Sequence, residues 1–185
     1  MVAIKNQKTH GGYRSLLSYQ NTTLIYDLTV MFCDKYISRY SRTTDQMIQA
    51  GRSGRQNIAE GSQASGTSKK TEIKLVGVAR ASLEELLNDY EDFLRQRKLR
   101  LWEKNSPDAK AIRALSYKSN RSYKTYMSYM NEPETATNTL ICLIHQANYL
   151  LDRQLQSLER NFLQNGGYTE NLFKKRLEMK KGGGR

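Results

Sequence analysis

Residues 140–162 read LICLIHQANYLLDRQLQSLERNF, and this stretch decides the fold. Apolar side chains recur in it every three or four residues, which places them on one face of an α-helix. They are Leu140, Ile144, Ala147, Leu151, Leu155, Leu158 and Phe162. No part of the chain alternates apolar and polar residues as a half-buried strand would. The sequence therefore predicts an all-α fold.

Three more segments repeat this helical spacing on the N-terminal side. With them, the main helices are expected over residues 16–40, 44–60, 68–99 and 134–163. Pro107 and Pro133 are both interpreted as first residues of helices, a position that suits proline. They bracket a helical insertion, residues 102–133, between the third and fourth main helices. We expect an antiparallel, up-down-up-down four-helix bundle over residues 1–165, followed by a short basic C-terminal suffix over 166–185.

Capping residues predict where the helices begin and end. Thr43 and Gln46 have the spacing of a capping box, as do Asn131 and Glu134. Gly61 is expected to end the second helix in the left-handed conformation.

Two glycines, Gly51 and Gly54, lie inside the second helix. Each costs about 1 kcal/mol relative to alanine. We therefore expect another backbone to approach the second helix closely at these positions.

The 185 residues carry 30 Lys and Arg against 18 Asp and Glu, a formal charge of +12. The mean hydropathy of −0.74 is low, as expected of long amphipathic helices with wide polar faces. Residues 134–165 are slightly acidic, so the positive surplus lies in the other elements. A surplus of this kind attracts anionic partners, of which nucleic acid is the commonest.

Several classes of protein are excluded by the sequence. The longest aliphatic run, residues 140–144, is too short to span a bilayer, and the first residues lack the apolar stretch of a signal peptide. We expect a cytoplasmic protein that does not bind membranes. Cys33 and Cys142 form no disulfide framework or zinc site and are interpreted as small hydrophobic residues.

No arrangement of residues supports catalysis. Only His10 and His145 are histidines, and neither a catalytic triad, a phosphate-binding loop nor a metal cluster is visible. His145 is expected to be packed or hydrogen-bonded. We expect a protein that is not an enzyme and needs neither a cofactor nor a metal.

Five bases flank the link between the second and third helices: Arg52, Arg55, Lys69, Lys70 and Lys74. In an antiparallel pair of helices they would converge near one end of the bundle, where a helix N-terminus also favours anions. They are typical of a phosphate-binding edge, but an exposed, solvated face explains them equally well. Both interpretations stay open.

The insertion alternates aromatic and basic residues: Tyr117, Lys118, Arg121, Tyr123, Lys124 and Tyr126. Unpaired bases can stack on such tyrosines while Lys118, Arg121 and Lys124 contact phosphates. Tyr123 and Tyr126 also fit a packed helix face, which the periodicity favours. Docking of a partner protein is a third interpretation.

Two motifs resemble those of a known family. Asn57-Ile58-Ala59-Glu60-Gly61 closes the second helix, and the third helix contains Ala79-Arg80-Ala81-Ser82-Leu83-Glu84-Glu85-Leu86. The chain resembles the four-helix-bundle proteins first noticed as open reading frames in intervening sequences of bacterial 23S ribosomal RNA genes. The insertion and the Gly-Gly-Tyr segments at residues 11–14 and 166–169 resemble a subgroup with a suffix domain.

This resemblance implies a homopentameric ring of antiparallel four-helix protomers. It also implies similarity to the accessory variability protein of diversity-generating retroelements, a basic pentamer that works with a reverse transcriptase and its template RNA. We therefore expect a non-enzymatic ring that binds RNA or DNA, with a reverse transcriptase or another protein as a candidate partner. The alternative is a protein scaffold that uses the Tyr/Met-rich insertion and the suffix.

A structural role is predicted for the motif residues Asn57, Glu60, Gly61, Arg80 and Ser82. Glu60 lies in the last turn of the expected second helix, where the dipole disfavours a carboxylate. A partner such as Arg80, Lys74 or backbone amides of the link is therefore expected. A buried polar lock between the second and third helices is favoured over catalysis, because buried polar groups must be paired.

Overall fold

The computed structural model describes residues 12–116 and 122–182. All regular structure in these two ranges is helical, which confirms the all-α prediction. The α-helices are α1 (Leu17–Tyr36), α2 (Arg42–Ala64), α3 (Lys69–Arg97), α4 (Pro107–Leu115), α5 (Pro133–Asn165) and α6 (Tyr168–Gly182). Short 3-10 helices span Gly12–Ser15 and Tyr123–Met130. In the described ranges no helix is both long enough and apolar enough to cross a membrane.

The four long helices share one apolar core. α1 packs against α2 and α5, and α3 packs against the same two helices. Phe32 lies at the centre, with its ring in edge-on contact with Tyr90 and Phe93 at 5.1 and 4.9 Å between centroids. This packing is compatible with a four-helix bundle that carries an insertion.

Two capping predictions are wrong. α2 begins at Arg42, one residue before Thr43, and its cap is Ser41, whose Oγ accepts a hydrogen bond from the Thr43 amide at 3.2 Å. At α5 the cap is Glu132, without a side-chain bond. The Glu134 carboxylate accepts instead from the Arg100 amide at 3.0 Å, so it ties the connector after α3 to α5.

The prediction that Gly61 ends the second helix is also wrong, since α2 continues to Ala64. Gly61 is buried against α3, where a Cβ would lie 3.3 Å from both the Glu72 carbonyl oxygen and the Leu75 Cβ. Close packing against another helix therefore explains this glycine. The close approach expected at Gly51 and Gly54 is confirmed, because a Cβ at Gly51 would lie 3.6 Å from the Tyr26 Cα.

The insertion folds back onto the long helices. Ser106 caps α4 by accepting from the Ala109 amide at 3.2 Å, and Pro107 is at the first turn as predicted. Tyr126 and Met130 are buried in the shared core, but Tyr123, expected on the same packed face, is 40% exposed. The period of three residues aligns Tyr123 with Tyr126, and Tyr123 is the first residue of this 3-10 helix, so its exposure reflects its position at the end of the element.

Candidate functional site

The structure gives the five bases of α2 and α3 different neighbours. The Arg55 guanidinium lies over the Tyr26 ring of α1, 4.6 Å from its centroid. The Lys70 ammonium lies 5.8 Å from the centroid of Phe162 on α5. Arg55 and Lys70 thus contact aromatic rings on two different long helices.

The other three bases of this group differ in whether an acidic side chain already pairs with them and in how exposed they are. Lys69 Nζ forms an ion pair with the Glu72 carboxylate at 3.0 Å. Arg52 and Lys74 have exposed side chains. Lys70 is exposed as well, whereas Arg55 and Lys69 are half-buried, so the convergence of the five bases stays a prediction.

Of the three candidate bases of the insertion, the structure describes Lys124. Lys118 and Arg121 lie outside the described residues. Lys124 is exposed on the 3-10 helix that packs against α1 and α5. This position is on a different element from the bases of α2 and α3.

The motif residues do not form the expected lock between α2 and α3. Glu60 has an exposed side chain, and Asn57 Nδ2 donates within its own helix to the Ser53 carbonyl at 2.9 Å. Gly61 and Ser82 are buried. Of the candidate partners for Glu60, Arg80 is paired with Asp152 and Glu84 instead.

Arg80 instead joins α3 to α5. Its Nε donates to Asp152 at 2.7 Å, and its Nη1 donates to Glu84 at 3.2 Å. Glu84 also accepts from Asn148 Nδ2 at 3.1 Å. The hydrogen bond to Asp152 is the main cause that raises the pKa of Arg80. The polar link that sequence reasoning placed between α2 and α3 thus lies between α3 and α5.

A groove that sequence reasoning missed runs between α4 and α5. Its volume is about 830 Å³, and the connector that follows α3 forms part of its wall. Trp102 and Tyr149 supply aromatic surface, Lys104 and Arg113 supply positive charge, and Glu91 supplies one carboxylate. The groove thus combines aromatic walls with a surplus of positive charge.

Asn138 of α5 fixes the position of Trp102. Its buried side chain accepts a hydrogen bond from the Trp102 amide at 2.7 Å and donates to the carbonyls of Arg100 and Glu134 at 2.8 and 2.9 Å. Two of these bonds hold the connector against α5, and the bond to Glu134 stays within α5 and completes the pairing of a buried amide that would be costly to leave unpaired. A tryptophan followed closely by a lysine after a helix end is the only sequence signal for this wall.

Two polar side chains of α5 also line the groove. Gln146 Oε1 is buried and has no hydrogen-bond partner within the described residues. His145 was expected to be packed or hydrogen-bonded, but its side chain is exposed on the groove wall. Nearby, burial raises the pKa of the Cys142 thiol, and the charge of Arg113 partly opposes this effect.

α6 is exposed over residues 168–181. It carries five bases near its C-terminal end: Lys174, Lys175, Arg176, Lys180 and Lys181. Its exposed large apolar residues are Tyr168, Leu172, Phe173, Leu177 and Met179. Both a charged and an apolar partner could contact this helix.

The fold and these surfaces define a helical protein with dispersed basic positions and one aromatic, basic groove. Comparisons with protein-family models, with curated proteins and with solved structures gave no match. Across residues 12–116 and 122–182, no three His, Cys, Asp or Glu side chains are grouped as metal ligands would be.

Proposed function

We propose that this chain is a non-enzymatic, homo-oligomeric protein of the cytoplasm that binds RNA or DNA through phosphate contacts. The observation that carries the proposal is the amount of positive charge that acids leave unpaired. The formal charge is +12. Among the described residues, ion pairs within 4 Å engage four bases: Lys69, Arg80, Arg95 and Arg100.

α6 is the strongest single element of the proposed interface. Its five bases lie within eight residues of an exposed helix, so they can follow a phosphate backbone at close spacing. Lys180 and Lys181 occupy the last turn, where the helix dipole favours positive charge, and both side chains are exposed. Arg52, Lys74 and Lys124 extend the basic surface on other elements.

An antiparallel, up-down-up-down arrangement of α1, α2, α3 and α5 is part of the proposal. Ser18, at the start of α1, donates to Gln154 in the second half of α5 at 2.7 Å. Tyr36, at the end of α1, donates to the Met130 carbonyl just before α5 at 2.8 Å. These contacts support opposite directions for α1 and α5. The pentameric ring and a reverse transcriptase partner are supported by the sequence resemblance alone.

A titration of labelled RNA and DNA over a range of salt concentrations tests the proposal. Affinity should fall steeply with salt, because binding releases counterions from the phosphates. The double variant Lys174→Gln/Lys175→Gln should weaken binding by about tenfold near physiological salt and reduce the salt slope by roughly one to two. Affinity that does not change with salt would reject phosphate binding.

A matched control separates the α6 interface from net charge. Arg95→Gln/Arg97→Gln also removes two positive charges, from exposed positions at the end of α3. Arg95 is already paired with Asp92 at 2.7 Å, and Arg97 lies 3.8 Å from the Phe93 ring centroid. Binding by this control should change little. Equal losses in both double variants would assign the effect to net charge and not to α6.

The apolar residues of α6 favour a second candidate function, a scaffold that docks a partner protein. Phe173 and Leu177 are 61% and 41% exposed, although such side chains are normally covered. Phe173→Ser/Leu177→Ser should abolish partner capture and leave RNA affinity within twofold of the wild type. The insertion is less suited to this role, because Tyr126 and Met130 are buried in the core.

A further inference from the structure

The groove between α4 and α5 has the dimensions and the lining of a ligand site. Its volume of about 830 Å³ lies within the range of roughly 300–1,000 Å³ that is usual for small-molecule pockets. Such pockets are mostly apolar and contain a few polar groups that set orientation. This groove fits that description, with Leu101, Trp102 and Ile141 beside Arg113 and Gln146.

The aromatic wall suits a flat, unsaturated ring. Trp102 is half-buried, and Tyr149, also on the groove wall, is 60% exposed. Aromatic side chains held in place and left partly open are the surfaces on which unpaired bases stack. Two hydrogen bonds of Asn138 fix the connector backbone at Arg100 and Trp102 before any ligand arrives, which lowers the entropy cost of binding.

The charges in the groove favour an anionic group on the same ligand. Lys104 and Arg113 line it, and neither belongs to an ion pair within 4 Å among the described residues. Glu91 is the one carboxylate among the described residues of the lining, which therefore carry a surplus of one positive charge. An arginine fork matches phosphate oxygens well.

Gln146 supplies a polar group that can select the ring. Its Oε1 has no partner in the described structure, so turning the amide toward a ligand breaks no bond at that oxygen. The terminal torsion of a glutamine is broad and permits this rotation. A ring with an exocyclic N–H would then satisfy an acceptor that is otherwise unpaired.

We propose that this groove binds a nucleotide, with its base against Trp102 and its phosphate at Lys104 and Arg113. The choice of a nucleotide over other aromatic anions rests on the proposed nucleic-acid binding. The ligand is either a free nucleotide or an unpaired nucleotide of a single strand, since both present the same ring and phosphate. Gln146 favours bases that carry an amino group.

The emission of Trp102 provides a direct test, because the chain contains one tryptophan. The full chain is titrated with AMP, with CMP, with an unpaired oligoribonucleotide and with a fully paired duplex of the same length. Stacking should quench the emission saturably with the nucleotides and the unpaired strand, and the duplex should leave it unchanged. If the unpaired strand quenches at a much lower concentration than AMP, the ligand is a strand. If AMP quenches at a much lower concentration than the strand, the ligand is a free nucleotide.

Charge variants link the signal to the groove. Arg113→Gln should raise the nucleotide concentration needed for half-maximal quenching by about tenfold. This is the loss of affinity expected for one charge-assisted phosphate contact. Lys110→Gln is the matched control, because Lys110 is exposed on the same helix and does not line the groove. Lys104→Gln, at an exposed position of the connector, repeats the test if Arg113→Gln does not fold.

The outcomes distinguish this site from the general function. One outcome overturns the groove proposal and leaves nucleic-acid binding standing. In it, RNA binds without quenching the Trp102 emission, and Arg113→Gln, or Lys104→Gln in its place, binds RNA as tightly as the wild type. If AMP quenches the emission and no RNA binds at low salt, the groove proposal stands and the proposed function is overturned. If dodecanoate displaces AMP at equal or lower concentration, the groove is an apolar acid site and the proposal is overturned.

Discussion

The two cysteines illustrate how surroundings separate identical side chains. Cys33 is 1% exposed in the core of α1, and burial together with the charge of Asp89 raises its pKa to about 12. Cys142 is partly exposed and lines the groove. Burial protects Cys33 from reagents in two ways. It blocks access to the sulfur, and it raises the pKa, so that little of the reactive thiolate is present.

We therefore expect one fast-reacting thiol in the native protein and two after unfolding. Labelling with a chromogenic disulfide reagent at neutral pH should modify Cys142 at least about tenfold faster than Cys33. Cys142→Ser should remove the fast phase, and a groove ligand should slow it. Equal rates for both thiols in the native protein would contradict the burial of Cys33.

Asp89 has a pKa that burial raises first, and that the nearby carboxylates of Asp92 and Glu85 raise further. Its folded form therefore binds a proton more readily than its unfolded form, so it favours folding at low pH. This contribution is lost as pH rises from the unfolded pKa of about 3.9 through the raised folded value. Above that range the charged form of Asp89 opposes folding.

Asp89→Asn should accordingly stabilise the protein at neutral pH. We expect the Tm to rise by about 1–2 °C at pH 7 and the gain to shrink as the pH approaches 4. Glu159→Gln, at an exposed position of α5, provides the control and should change the Tm less at either pH. A Tm that falls at pH 7 would show that the Asp89 carboxylate has a stabilising partner.

At the scale of elements, the spacing between α2 and α3 depends on glycine. A Cβ at Gly54 would lie 2.9 Å from Leu83 Cδ2 and 3.1 Å from Leu83 Cγ, and Leu83 is fully buried. At Gly77, in α3, the same position has no described atom within 4 Å apart from its chain neighbours and the backbone of its own helix. The two glycines are both helical, so they differ only in the space around them.

Alanine should have opposite effects at these two glycines. Gly54→Ala should lower the free energy of unfolding by about 1–3 kcal/mol, because overpacking outweighs the better helix propensity. Gly77→Ala should raise it by roughly 0.5–1 kcal/mol through propensity alone. Urea unfolding measures both changes, and a stabilising effect of Gly54→Ala would show that α3 can shift away from α2.

The same elements show how far the sequence could predict the fold. Apolar spacing located the four long helices, because each buries one face continuously. It misplaced the end of α2, since a glycine that ends a helix and a glycine that admits a neighbouring helix are the same letter in the sequence. Gly61 is of the second kind, which becomes clear only when Glu72 and Leu75 are placed against it.

The groove could not be predicted for a related reason. It exists because α4 folds back onto α5 and because Asn138 ties down the connector that carries Trp102. Trp102 and Asn138 are 36 positions apart, and no local pattern of charge or hydrophobicity encodes either contact. The basic residues, in contrast, were evident from composition, but their division among several surfaces was not.

At the scale of the whole molecule, the proposed ring has to bring together protomers of like charge. Each copy carries +12, so the protomers repel one another, and this repulsion weakens as salt shortens the screening length. Nucleic-acid binding responds in the opposite direction, because added salt removes the gain from counterion release. Where repulsion between protomers dominates assembly, assembly and RNA binding should therefore show opposite salt dependences.

Light scattering coupled to size-exclusion chromatography tests how salt and RNA change the mass of the assembly. We expect a mass of five times the 21.4 kDa chain at high salt, and smaller species at low salt without nucleic acid. Adding RNA at low salt should restore the large species, because phosphates neutralise the repulsion between protomers. A constant monomer mass across the series would reject the ring, and a pentamer indifferent to salt would show that apolar contacts outweigh the repulsion.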